Sequence, residues 1–113
     1  MSDRELIRLA AKAAGHELIQ FSEYSGFQIL DEGDSRWWDP LKEDGDALRL
    51  AVKLRLTIDR SEIGPVAFVY CDWQDTYVQA LEKHGNDPYA ATRRAITRAA
   101  AEIGKHLEKN NGN

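Results

Sequence analysis

The chain is poor in the residues that usually declare a chemistry. Its 113 residues include one cysteine, one methionine, three prolines and three histidines. A lone cysteine forms no internal disulfide. Cys71 stands in the apolar run VAFVYC, so a buried, reduced thiol in a cytosolic setting is expected. No apolar stretch approaches the roughly 20 residues that cross a bilayer. Glu5 and Arg8 interrupt what would be the apolar centre of a leader, so neither a signal peptide nor a membrane partner is expected. His16, His84 and His106 have neither close metal-ligand spacing nor a local cysteine partner. Cys71 is not at a helix start, where thiolates are activated. A P-loop, a dinucleotide fingerprint and a nucleophile elbow are all missing. No catalytic residue, metal ligand set or cofactor is therefore nominated, and a non-enzymatic protein is expected.

What is present fits one globular domain. The chain is 42% hydrophobic, 30% charged and 9% aromatic, too rich in core-forming and aromatic residues for disorder and long enough for one continuous core. Fifteen basic residues against nineteen acidic ones give a net charge of -4, which argues against a broad face for duplex nucleic acid. A compact domain over 1–109 with a frayed tail over 110–113 is expected.

Local patterns divide the chain. Ser2 with Glu5 three residues on is a capping box; Leu6, Leu9, Ala10 and Ala13 then recur at helical spacing up to Gly15, a natural C′ residue. Leu18–Phe21 and Phe27–Leu30 flank the turn-like Ser22–Gly26 and predict a hairpin. Asp31–Arg36 reads as a polar loop containing Gly33. Pro40 pushes Asp39 toward an extended conformation, so Trp37 and Trp38 are not expected in one helix; alternation instead turns one ring inward and one outward. Asp44 or Asp46 is placed to cap a central helix with Leu50, Ala51 and Leu54 on its apolar side, widened by Leu48 and Val52. A strand over about Arg55–Asp59, a turn over Ser61–Pro65 and a central strand over Val66–Cys71 follow. Asp72–Asp75 predicts a turn, and Tyr77–Leu81 a further strand. Asp87 at N-cap and Pro88 at N1 open a last helix whose inward stripe is Ala91, Ile96, Ala99, Ala100, Ile103 and Leu107. Gly104 is expected to weaken its end. The order α-β-β-α-β-β-(β)-α predicts an α+β domain, an antiparallel or mixed sheet with helices packed on it.

Three groups of residues could meet a ligand. Trp37 and Trp38 beside a proline could stack on a base or a partner surface, although tryptophan more commonly anchors a core. Glu43, Asp44 and Asp46 are close carboxylates, but their spacing is not that of a calcium loop, and acidic residues suit a helix start. Arg49, Lys53, Arg93, Arg94 and Arg98 form a basic set, with Arg94 and Arg98 one helical turn apart, so both could address one phosphate. The competing reading is a solvated face whose arginines pair with surplus acid.

The segments WWDPLKEDGDALRLAVKLRL and NDPYAATRRAITRAAAEIGK resemble the two signature blocks of the phage ABA sandwich family, small and mostly uncharacterised proteins of tailed bacteriophages and prophages. The resemblance runs from about Glu5 to Lys105. It implies a three-layer α/β/α sandwich and a virus-encoded protein acting in the host bacterial cytoplasm. It supplies no reaction. By analogy of class, small phage accessory proteins include sponges that enclose cyclic or ADP-ribose-derived nucleotide signals of host defence without cleaving them. In that role Trp37 or Trp38 would stack on a base, Arg49, Arg93, Arg94 and Arg98 would hold phosphates, and Asp44 and Asp46 would meet ribose hydroxyls. A homo-oligomer formed through the helices would frame the pocket. The alternative is an interaction module that binds a host or phage protein through the Trp37–Pro40 loop.

Overall fold

A computed structural model describes residues 1–59 and 64–110. Two three-stranded units alternate with three helices: α1 (Asp3–Ala14), β1 (Glu17–Ser22), β2 (Gly26–Asp31), β3 (Asp34–Trp38), α2 (Asp44–Leu54), β4 (Thr57–Asp59), β5 (Val66–Trp73), β6 (Thr76–Lys83) and α3 (Pro88–Asn110). The architecture is α+β and sandwich-like. Every strand pairing is antiparallel, but the strands form two sheets, β1-β2-β3 and β4-β5-β6, instead of one.

The hairpins follow turn chemistry. Between β2 and β3 the turn is only Glu32-Gly33, and between β5 and β6 only Gln74-Asp75; all four residues have positive φ, as a two-residue primed turn requires. The expected Asp31–Arg36 loop is thereby corrected. Its second half is strand, because Asp34-Ser35-Arg36 pairs residue by residue with Asp31-Leu30-Ile29. The strand also runs past Cys71 to Trp73, so the expected turn over Asp72–Asp75 shrinks to its last two residues. The turn over Ser61–Pro65 falls largely outside the described residues, as do 111–113; Asn110 closes α3 rather than belonging to the tail.

Helix ends bear out the caps at α1 and α3. Ser2 Oγ accepts the Glu5 amide at 3.1 Å, and Gly15 closes α1 at φ 77°. Asp87 Oδ1 accepts the amides of Tyr89 and Ala90, both at 3.1 Å. At α2 the N-cap is Glu43, whose side chain makes no cap bond; Asp44 and Asp46 lie in the first turn instead.

One main core joins both sheets and all three helices, through Ile7, Ala10, Phe27, Ile29, Trp38, Leu50, Val69, Ile96 and Ala99. Many of its helical positions are alanines, so the elements approach closely. Leu6, Leu9 and Ala101 add a seam between α1 and α3. There Gly104 is buried, and a methyl group on it would collide with the Leu9 carbonyl. Gly104 therefore does not weaken the helix end: it permits the helix crossing. On α2 the apolar face is narrower than expected. Leu48 and Val52 are exposed, at 59% and 69%, while Ala47, Leu50 and Ala51 face inward.

Candidate functional site

Pro40 and the residues around it shape a buried polar turn. Asp39 directly follows β3 with its carboxyl buried: Oδ1 accepts the Leu41 amide at 3.0 Å, and its backbone carbonyl accepts the amides of Lys42 and Glu43. Burial pushes the Asp39 carboxyl above the ordinary range, against the amide of Leu41, which lowers it. Asp46, from the first turn of α2, accepts the Asp39 amide at 3.0 Å, Arg36 at 3.1 Å and Arg49 at 2.8 Å. This network fixes how the chain leaves β3 and enters α2. Gly26 is needed opposite it, because a Cβ at that position (φ 83°) would run into the Trp38 carbonyl and Asp39.

Beside this turn lies a cleft of about 290 Å³ between the start of α1, the β1–β2 turn, the Asp39–Lys42 segment and the start of α3. Arg4, Lys42 and Arg94 stand on its walls, Ile7, Phe21 and Leu41 supply apolar surface, and Asp3, Glu23 and Asp39 supply acid. The Arg4 guanidinium lies 4.5 Å from the centre of the Phe21 ring. Arg94 donates to Asp3 at 3.0 Å, and Lys42 Nζ sits 3.4 Å from the Glu23 carbonyl. Both bonds are solvent-facing, so a ligand can exchange for them at small cost.

The residues nominated from sequence do not meet at one point. Trp38 is inside the core at 1% exposure, with its ring edge-on to His16 at 5.1 Å. Trp37, on the other face of β3, is 42% exposed. The one-in, one-out expectation holds. Trp38, Asp39 and Pro40 are all buried, so the Trp37–Pro40 segment presents little beyond Trp37 to a partner. Trp37 and Asp46 line a second cavity of about 280 Å³ together with Tyr24, Lys42 and Glu43. Arg93 donates to the Leu41 carbonyl at 2.8 Å and to Asp44 at 2.7 Å, tying α3 to the turn before α2. Arg98 pairs with Glu82 and donates to the Leu81 carbonyl at 3.0 Å. Arg94 and Arg98 share a shallower cavity of about 390 Å³ with Glu82, Glu102 and Lys105. Of the nominated set, Arg94 alone lines the cleft.

Arg4, Phe21 and Lys42 were not singled out from sequence. Arg4 and Phe21 belong to different elements and meet only through tertiary packing, which leaves no local signal; Lys42 follows directly on WWDPL and was legible only as part of that turn.

Other reactive groups are quiet. Burial raises the Cys71 thiol, and the residue is buried between β6 and α3 with Val78 and Ile103. His106 stacks on Trp73 with ring centres 6.1 Å apart. Among the described residues, no three histidine, cysteine or acidic side chains come together as a metal site, and no helix is long and apolar enough to cross a membrane. The chain matches no family model, no curated protein and no solved structure.

Proposed function

We propose that the protein binds a small phosphorylated nucleotide in the cleft between α1, the β1–β2 turn and α3, and holds it intact. Phe21 offers a stacking surface. Arg4, Lys42 and Arg94 offer phosphate donors, the arginines with the forked geometry that suits an anion. The observation that carries the reading is that these three cations and one aromatic ring border a single cleft. A base stacking on Phe21 takes the place of the Arg4 guanidinium, which then turns toward phosphate. Asp3 and Glu23 are left to accept ribose hydroxyls. With the biology that the sequence resemblance implies, this is a phage accessory protein that withdraws a cyclic or ADP-ribose-derived signal of host defence in the bacterial cytoplasm, acting as a homo-oligomer.

Titration of the purified protein against cyclic dinucleotides, cyclic trinucleotides and cyclic ADP-ribose isomers, with recovery of unaltered ligand, tests this. Loss of one charge-assisted phosphate bond is worth about tenfold or more in affinity, so Arg94→Ala and Lys42→Ala should each weaken binding to that extent. No binding across the panel, or binding indifferent to both substitutions, overturns it. Turnover of the ligand would make the protein a hydrolase.

A second reading, an interaction module, is supported by Trp37 and Tyr24 lining one shallow cavity on the outside of the first sheet. It expects a defined protein partner whose capture is lost in Trp37→Ala. Trp38→Ala cannot test it, since that ring is core.

A further inference from the structure

The outer faces of the two sheets are built differently. On the first sheet, Gln20 donates to Gln28 at 2.7 Å, and Gln28 donates to Ser35 at 3.1 Å, a polar ladder across three strands with Leu30 and Trp37 exposed beside it. On the second sheet, Ala67, Val69, Cys71, Val78 and Ala80 face inward and are buried. The alternate residues Phe68, Tyr70, Tyr77, Gln79 and Leu81 face outward, so the row is aromatic and aliphatic apart from Gln79 beside Tyr70. Phe68 and Tyr70 have ring centres 5.1 Å apart, and Tyr70 and Tyr77 6.0 Å. Leu81 pairs across from Phe68. Tyr77 and Leu81 are 51% and 48% exposed, and no described element lies over this face.

We infer that this face seats a second copy of the chain, sheet on sheet, about a two-fold axis perpendicular to the strands. Charge complementarity points to that occupant and that arrangement. Asp72 pairs with Tyr77 at one end of the face, and Val66 pairs with Lys83 at the other. Facing two copies with strands running the same way, about an axis along β5, sets Asp72 against Asp72 and carries Lys83 away to the β4 side. Reversing one copy lays each Lys83 over the other copy's Tyr77 and beside its Asp72, a cation–π contact with an adjacent ion pair. The same operation brings Asp59, in the row of Phe68, over Thr57, in the row of Tyr70, so a carboxylate meets a hydroxyl. The patch is thus complementary to itself, which is what a two-fold interface demands. The aromatic row supplies the apolar burial between the stacked sheets. This association uses a sheet, not the helices, and does not depend on the nucleotide cleft.

Sedimentation equilibrium of the full chain should give twice the 12.8 kDa of one chain. Leu81→Asp, Asp72→Lys and Lys83→Glu should each raise the dimer dissociation constant by about tenfold or more, whereas the Asp72→Lys/Lys83→Glu double variant should recover most of the loss. All three substituted residues lie at the surface, and unchanged far-ultraviolet circular dichroism confirms folding. A wild-type chain that stays monomeric up to about 1 mM, a dimer indifferent to Leu81→Asp, or a double variant no better than the singles overturns the inference. Ligand titrations of these variants stand apart, because none of the substituted residues lines the cleft.

Discussion

The Asp46 carboxylate accepts the backbone amide of Asp39 at 3.0 Å, so one acidic side chain closes the turn by hydrogen-bonding the main chain of another acidic residue. Both residues are buried, and Asp46 also takes Arg36 and Arg49. The two guanidinium groups reach solvent, whereas the amide does not. Asp46→Ala should therefore cost about 2–3 kcal/mol, mostly from the orphaned amide. Asp46→Asn keeps an acceptor and should lose distinctly less. Asp44→Ala, which breaks an exposed pair with Arg93, should stay within about 1 kcal/mol. Urea denaturation of the three variants checks the order.

Adjacent tryptophans on β3 should behave as opposites. Trp38 fills the main core against His16 and Phe27, and Trp38→Ala should cost about 3–5 kcal/mol. Trp37 looks outward, and its alanine variant should change stability by less than about 1 kcal/mol. In the wild type, acrylamide should quench the Trp37 part of the emission and spare that of Trp38. Equal destabilisation by the two substitutions contradicts the assignment.

Where a residue's neighbours in sequence decide its fate, the sequence was enough. The caps at Ser2 and Asp87, the alternation through Val66–Cys71 and the opposed rings of Trp37 and Trp38 are of this kind. The number of sheets was not legible, because period-two alternation says which face a strand buries but not which strand it pairs with. Asp34–Arg36 looked like a loop since polar residues dominate it, yet its outer face meets water and its backbone still completes a ladder. Leu48 and Val52 satisfied the helical pattern although the neighbouring helix covers a narrower stripe of α2. Arg93, Arg94 and Arg98 share one helix as the pattern predicts, but their carboxylate partners come from the first turn of α2, α1 and β6, and no spacing rule links those.

Close approach of α1 and α3 depends on Gly104. An alanine there drives its methyl group against backbone, not against a side chain that could turn away. Gly104→Ala should destabilise the protein by more than about 1 kcal/mol, reversing the stabilisation of roughly that size that alanine normally gives over glycine in a helix interior. Thermal unfolding of the variant gives the sign directly. A higher midpoint would mean that the two helices cross elsewhere.

His16 makes stability depend on pH near neutrality. Burial against Trp38, and then the positive charge of Lys53, hold its imidazole below the ordinary value of 6.5. In the unfolded chain the ring takes up a proton as pH falls through 6.5, while in the fold it stays neutral to lower pH. The unfolded state then binds more protons, so stability rises with pH across that window and is lost on acidification. The contribution is complete above the unfolded value, where the ring is neutral in both states. Unfolding midpoints between about pH 5.5 and pH 7.5 should climb in the wild type. His16→Gln, which carries no titrating proton, should flatten that climb, while the carboxylate-driven fall at lower pH remains. A slope unchanged by the substitution would show that His16 titrates alike in both states.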